Sequence, residues 1–257
     1  MATATGALSG EQLGKLLPLI EGADSVELKL TVPGADRRSV VNALDLDPLD
    51  AQIRQVFFFD TPELTLNSHG VVPRARRIQG KGGDSVVKLR PVVPKELPAK
   101  LRRSPDFGVE VDAMPGGYVC SASLKGKLGP ADVKDCVAGR RATRKLFTKG
   151  QRAFFAEHAP EGIELDDLAV LGPINVLKLK FSPEDLARQM VAELWNYPDG
   201  SRILELSTKC LPTEAFQVAA ETKAFLSNRG VDLGGEQQTK TKTALEFFSR
   251  ELAEDLR

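Results

Sequence analysis

Charged and apolar residues alternate along several stretches of this chain, and the pattern predicts strands with one ionic face. In VELKL a leucine separates Glu27 from Lys29, and in VVKLRP a leucine separates Lys88 from Arg90. Side chains two apart on a strand share a face, so each such strand has one apolar and one charged face. The same spacing occurs in three further segments, at Arg74 and Arg76, at Glu110 and Asp112, and at Glu205, Ser207 and Lys209. Together these strands predict a shared surface that is lined with charge.

Two interpretations of this surface remain open at the level of the residues. An antiparallel sheet with one solvated face is the ordinary explanation of such alternation. Arginine and carboxylates repeat in pairs here, however, and arginine is the side chain best suited to bidentate contacts with oxyanions. A closed sheet with this lining would hold water, ions or a charged ligand, because an unpaired buried ion is costly.

Helical spacing and turn residues divide the chain into further elements. Strands are predicted at 25–32, 53–60, 71–79, 84–93, 107–112, 143–149 and 174–181, with an extended stretch near 162–168 and a hairpin about the YPDG turn. Helices are predicted at 9–21, 36–44, 129–139, 212–229 and 237–254. The order predicts a single α+β domain over residues 1–257, with strands in 25–210 and the C-terminal helices in 211–257. Closure of the sheet is expected, because no strand is an obviously protected edge.

Composition narrows the classes of function. The 257 residues are 42% hydrophobic and 27% charged, which is typical of a globular protein. Thirty-five basic residues balance 35 acidic ones, so no overall field favours nucleic acid or an anionic membrane as a partner. One tryptophan and two tyrosines are too few for a base-stacking platform.

Cysteines, histidines and apolar runs further narrow the kinds of site and the cellular location to be expected. Its three cysteines are widely spaced without a CxxC pair, which argues against a disulfide framework or a zinc site and favours a reducing cytoplasm. The two histidines, His69 and His158, offer little material for a histidine-dependent site. The first residues lack the features of a signal peptide, and no apolar run reaches the length of a membrane span. A cytoplasmic location is expected.

Five quoted segments carry a resemblance to a known family. They are VELKL, VFFFDTPELTLNSHGVVPRARRI, VVKLRP, RKLF and GIELDDLAVLGPI, and they span roughly residues 25–210. In this order they resemble the CYTH superfamily, also called triphosphate tunnel metalloenzymes, which includes class IV adenylyl cyclases, thiamine triphosphatases and inorganic triphosphatases. The aromatic-Asp-Thr-Pro turn and the Arg-x-Arg strand are the most specific parts of the match.

The resemblance implies a closed, antiparallel, eight-stranded tunnel around a triphosphate, with Mg²⁺ or Mn²⁺ held by carboxylates. The phosphate-binding residues that it implies are Lys29, Arg74, Arg76, Lys88 or Arg90, and Arg144. Two further lysines that depart from the family pattern, Lys178 and Lys180, are added as candidate phosphate-binding residues. The metal-binding residues that it implies are Glu27, Glu110, Asp112 and Glu205. The partner that it implies is a small phosphate-bearing anion.

The chain departs from the family pattern at two places. Ser25 stands where the first strand usually has a glutamate, and Val176 and Lys178 stand where a Glu-x-Glu pair is usual. If every candidate side chain faces inward, nine bases and five acids leave a surplus of four positive charges. Glu110 and Asp112 suffice for one Mg²⁺ ion, which often binds through only one or two carboxylates plus water and phosphate.

These features support two main hypotheses of function from different classes. The first is a metal-dependent phosphohydrolase that acts on a triphosphate-bearing molecule. The second is a tunnel that binds an anion without turning it over, since metal ligands are lost and a cation is gained. An adenylyl cyclase is a third hypothesis, for which the sequence shows no adenine site. Lys240 and Lys242 are interpreted as solvated lysines at a helix start, with Lys240 also able to reach a tunnel mouth.

Overall fold

The protein is an α+β barrel, described by a computed structural model for residues 10–233, 237 and 240–255. Its strands are β1 (Ser25–Val32), β2 (Gln52–Asp60), β3 (Val71–Ile78), β4 (Gly83–Leu89), β5 (Phe107–Met114), β6 (Gly117–Leu128), β7 (Ala169–Phe181), β8 (Met190–Asn196) and β9 (Arg202–Cys210). Its helices are α1 (Gly10–Glu21), α2 (Arg37–Ala43), α3 (Thr65–Ser68), α4 (Ala99–Arg102), α5 (Asp132–Val137), α6 (Lys149–His158), α7 (Ala215–Asn228) and α8 (Lys240–Asp255). Residue 9 of the predicted first helix and residues 238–239 of the predicted last helix lie outside the described residues, and Gln237, the predicted first residue of the last helix, is not helical.

The sheet closes on itself in the order β1-β5-β6-β4-β3-β2-β7-β8-β9. All neighbours are antiparallel except β1 and β5, which run parallel with Glu27 opposite Asp112. The expectation of closure is therefore confirmed, and the interpretation as an open half-solvated sheet is wrong. The expectation of eight strands, all antiparallel, is also wrong: the barrel has nine strands and is mixed.

The strand that sequence reasoning missed is β6. Its segment GYVCSASLKGKL is rich in serine, glycine and lysine, which have low β propensity or carry no apolar alternation. Pairing with β5 on one side and β4 on the other stabilises it. Glycine is required at position 126, where a Cβ atom would lie 2.6 Å from the Gln151 side-chain oxygen.

The predicted strand at 143–149 is also wrong. Thr143–Leu146 forms a 3₁₀ turn, and α6 begins at Lys149. Thr148 caps α6 through its side chain, and Gln151 bonds back to the Thr148 backbone N–H at 2.9 Å. This capping box was present in the sequence as a Thr-x-x-Gln spacing and outweighs the local strand propensity. The extended stretch near 162–168 contains no strand, because β7 begins only at Ala169.

Apolar side chains that point out of the barrel form its core beneath the helices. Phe154 and Phe155 of α6 cover one flank, Phe225 and Leu226 of α7 cover another, and both sets are at most 6% exposed. The two-residue period that buries these outer side chains therefore turns the charged side chains inward. Among the helices that the structure describes, none combines the length and apolar character needed to cross a bilayer.

Helix α8 is placed differently from the other helices. Its Ala244, Leu245 and Phe248 pack with Val56 and Phe58, whose side chains face the interior of the barrel. The apolar cluster between α8 and β2 therefore lies inside the barrel, next to the charged lining. As a consequence, the first residue of α8, Lys240, lies among the strands.

Candidate phosphate and cation site

The barrel encloses a cavity of about 590 Å³, within the range that holds small ligands. Among the described residues, ten basic and six acidic side chains line it, again a surplus of four positive charges. The basic residues are Lys29, Arg54, Arg74, Arg76, Lys88, Arg90, Lys125, Lys178, Lys209 and Lys240. The acidic residues are Asp24, Glu27, Glu110, Asp112, Glu193 and Glu205.

Charge divides the lining into two halves. Five consecutive strands, β6, β4, β3, β2 and β7, contribute basic side chains to the cavity. The other four strands, β8, β9, β1 and β5, contribute all the carboxylates of the cavity wall apart from Asp24, which precedes β1. The cavity therefore has a basic half opposite a half that carries the carboxylates, together with Lys29 and Lys209.

Arg74 is the central charge of the basic half. Its guanidinium has no ion pair within the described ranges of the chain, and its Nε atom is buried without a hydrogen-bond partner. Burial first, and then the neighbouring Arg76, lower the pKa of Arg74 to about 10. Arg76 by contrast is held by Asp84 through two hydrogen bonds of 2.8 Å. Arg74 therefore offers an unused donor set that points into the cavity.

Lys88 and Arg90 extend the basic half toward the carboxylates. Lys88 lies 3.7 Å and Arg90 3.4 Å from the Asp112 side chain. Burial lowers the pKa of Lys88 to about 8, although Asp112 works in the opposite direction. An incoming anion would lie within reach of both cations and would favour the charged form of Lys88.

Glu27, Glu110 and Asp112 form the first acidic cluster, with one ligand atom of each lying within 4.8 Å of the others. Lys29 lies between two of them, 2.8 Å from Asp112 and 3.2 Å from Glu27. Burial alone would raise the pKa of Asp112, but Lys29 and Lys88 outweigh it and lower that pKa to about 2. Burial alone would lower the pKa of Lys29, but the charges of Asp112 and Glu27 outweigh it and raise that pKa. Asp112 is therefore ionised, and Lys29 keeps its charge.

The donor set of this cluster fits one divalent cation. Lys209 pairs with one oxygen of Glu110, and Lys29 pairs with one oxygen of Glu27. Mg²⁺ needs only one or two carboxylates when water and substrate phosphate complete its shell. Glu27 and Glu110, with Asp112 beside them, would hold such an ion.

Glu193 and Glu205 form a separate acidic pair that two lysines occupy. Lys240 lies 2.6 Å from Glu193 and 2.7 Å from Glu205, and Lys178 lies 2.8 Å from the other oxygen of Glu193. Glu205 is therefore not among the carboxylates that lie together at Glu27, and its role in that metal set stays a prediction. In the family pattern a metal-binding glutamate usually stands at the position of Lys178, and in this structure the lysine there pairs with Glu193.

Two of the predicted phosphate-binding residues do not line the cavity. Arg144 lies in the 3₁₀ turn before α6, where its side chain is 59% exposed and paired with Asp166. Lys180 lies on β7 but is exposed. The predictions for both are wrong in placement: Arg144 because RKLF is not a strand, and Lys180 because β7 extends past the cavity.

The cavity also contains basic residues that sequence reasoning missed. Arg54 shares a face of β2 with Val56 and Phe58, so its spacing carried a signal that was available. Lys125 lies on the unrecognised strand β6. The interpretation of Lys240 as a solvated lysine is wrong, since its side chain is only 12% exposed.

Comparison with solved structures identifies the class of fold. The protein superposes on a protein from Hippeastrum, provisionally assigned as an adenylyl cyclase and found to have a dominant triphosphatase activity, with a TM-score of 0.61 at 16% identity over 82% of this chain and 91% of that one. It also superposes on a provisionally assigned adenylate cyclase from Bacillus halodurans, with a TM-score of 0.58 at 12% identity over 85% and 98% of the two chains.

The protein therefore has a CYTH-like tunnel fold, as the resemblance implied. No family model matches the sequence. No curated protein matches it either. At these identities the likeness concerns the fold alone.

Proposed function

We propose that the tunnel binds a triphosphate-type anion, inorganic or part of a small molecule, and hydrolyses it with one divalent cation. The observation that carries the proposal is the unpaired guanidinium of Arg74, which lines the same cavity as the carboxylate cluster of Glu27, Glu110 and Asp112. A buried arginine without a counter-ion is costly, and a phosphate oxygen is the partner that its geometry suits best.

The residues of the basic half have a direct role in this chemistry. Arg74, Arg76 and Lys88 would contact phosphate oxygens and stabilise the negative charge that develops during phosphoryl transfer. When bound at the acidic cluster, a divalent cation supplies Lewis-acid polarisation and a positioned water. Lys29 keeps Glu27 and Asp112 ionised and oriented toward that position.

The first test is hydrolysis of inorganic tripolyphosphate and ATP in the presence of Mg²⁺, Mn²⁺ or EDTA. Phosphate release should require the metal, and Glu110→Gln should lower it roughly 100-fold, since removal of a metal ligand raises the barrier by about 3 kcal/mol. Glu164→Gln, at an exposed position outside the cavity, is the matched control and should leave release unchanged. Absence of release from both substrates under either metal would refute hydrolysis.

Binding without turnover is the second candidate, and the lysines on Glu193 and Glu205 favour it. They neutralise the carboxylates on β8 and β9, so less of the acidic half remains for metal. Calorimetry with tripolyphosphate in EDTA distinguishes the two candidates. Binding that needs no metal and gives no product supports this one, whereas metal-dependent release supports the hydrolase. Absence of binding with and without metal removes both.

Analysis of the products formed from ATP tests for adenylyl cyclase activity, the third hypothesis. A hydrolase releases phosphate or pyrophosphate from ATP without forming a cyclic nucleotide, and cyclic AMP would instead assign cyclase activity.

We also propose that the protein acts in the cytoplasm. Cys120, Cys136 and Cys210 are buried free thiols, as a reducing compartment favours.

A further inference from the structure

Two carboxylates face each other directly on neighbouring strands of the acidic half. Glu193 on β8 and Glu205 on β9 are register partners, and both side chains point into the cavity. Like charges directly opposite each other on paired strands are destabilising. At side-chain exposures of 15% and 6%, solvent screens them poorly. A cation between them is therefore required.

The cation comes from outside the sheet. Lys240, the first residue of α8, lies within 2.7 Å of an oxygen from each glutamate. Three further contacts hold it: its ammonium lies 5.0 Å from the centre of the Trp195 ring, its carbonyl accepts a 3.0 Å hydrogen bond from the Tyr197 hydroxyl, and α8 packs inside the barrel. The position of this ammonium is thus set by tertiary structure.

The two glutamate oxygens converge on one point as ligands of a divalent ion would. Ca²⁺–oxygen distances are about 2.3–2.6 Å, close to the 2.6 and 2.7 Å that separate the Lys240 nitrogen from the two oxygens, whereas those of Mg²⁺ are shorter, at about 2.1 Å. Lys178 occupies the second oxygen of Glu193 at 2.8 Å. Three of the four oxygens of this pair therefore already bind an ammonium, and the pair as it stands does not fit a metal ion.

We propose that Lys240 is a tethered cation that takes the place of a second metal ion, so that the tunnel combines at most one divalent ion with one built-in ammonium. The inference rests on the proposed function only for the role of the divalent ion at Glu27, Glu110 and Asp112. It follows that docking of the first turn of α8 and divalent-ion binding at Glu193 and Glu205 exclude each other. Helix α8 therefore supplies one positive charge to the tunnel when its first turn is docked.

The test counts Mn²⁺ ions bound per chain, by electron paramagnetic resonance at saturating Mn²⁺ and without any substrate. Lys240→Met should bind one more Mn²⁺ than the unsubstituted protein, because it frees two converging carboxylate oxygens. Lys242→Met is the matched control on the same helix. Its side chain is 69% exposed and pairs only with Glu246 within the described chain, so its count should stay unchanged.

A double variant locates the added ion. Lys240→Met combined with Glu205→Gln should lose the additional Mn²⁺, since only Glu193 remains. If Lys240→Met alone is unfolded in EDTA, Mn²⁺ should restore the folded state, because the ion replaces the missing ammonium. An unfolded variant that Mn²⁺ does not restore overturns the proposal. So does an unchanged Mn²⁺ count in a folded variant, or loss of an ion from the unsubstituted protein on Glu193→Gln.

This count is independent of the proposed function. Tripolyphosphate binding is measured separately, by calorimetry on the same proteins. If the unsubstituted protein binds no triphosphate but Lys240→Met still gains one Mn²⁺, the proposed function fails and the tethered cation stands. If triphosphate binds and the gain is absent, the tethered cation fails alone.

Discussion

Asp112→Asn is expected to lower the free energy of unfolding by about 3 kcal/mol when no anion is present. Asp112 is fully buried, and Lys29, Lys88 and Arg90 lie within 3.7 Å of it. Removing one partner of a buried ion pair typically costs about 3–5 kcal/mol, because the remaining charges lose their compensation. The lower end applies here, since the three cations keep 17–26% of their side-chain exposure. Chemical denaturation measures the change.

The same experiment contains its own rescue and control. Added tripolyphosphate should restore most of the lost stability, because it supplies negative charge to Lys88 and Arg90. Asp185→Asn breaks an exposed pair with Arg229 and should cost less than about 1 kcal/mol. If Asp112→Asn costs no more than this control, the charge network around Asp112 does not stabilise the barrel.

Arg74→Met should weaken tripolyphosphate binding while leaving the protein equally or more stable. Loss of its charge-assisted hydrogen bonds to phosphate removes about 2–3 kcal/mol, which corresponds to a roughly 30- to 150-fold weaker affinity. Stability should not fall, because the guanidinium has no ion pair within the chain as described and its Nε is buried unsatisfied. Calorimetry gives the affinity and thermal unfolding gives the stability.

Arg77→Met is the matched control on the same strand. Arg77 lies on the opposite face of β3 and donates a 2.7 Å hydrogen bond to Gln55, outside the cavity. Its substitution should leave tripolyphosphate affinity unchanged. Equal affinity losses for both variants would indicate general electrostatic attraction, and a lower melting temperature for Arg74→Met would show that Arg74 has an internal partner.

The two-residue alternation of charge predicted which side chains share the charged face of each strand. Glu27, Lys29, Arg74, Lys88 and Asp112 all line the cavity where the sequence placed them. The reason is local: side chains of a strand alternate faces, so burial of the apolar face determines where the charged face lies. The acidic cluster was implied by the family resemblance, and the parallel pairing of β1 with β5 brings its members together.

Strand number and the placement of Arg144 could not be obtained in this way. Serine, glycine and lysine dominate the second half of β6, and its strand character comes from pairing with β4 and β5. RKLF was predicted as a strand from the local pattern at 143–149 and again from the resemblance, whereas the Thr148 capping box directs this part of the chain into a turn and α6. In both cases a contact with a distant or later segment decides the local structure.

By itself, therefore, the sequence determined which side chains share the charged face of each strand, and it gave grounds to expect that the sheet closes. Only the tertiary structure decided which charges pair. Lys240 meets Glu193 across 47 positions of sequence, and Glu205 pairs with that lysine instead of joining Glu27. Alternation is a property of one strand, whereas the partner of an ion depends on ring closure and on where α8 enters the barrel. The spacing of residues within one strand predicts neither ring closure nor the position of α8.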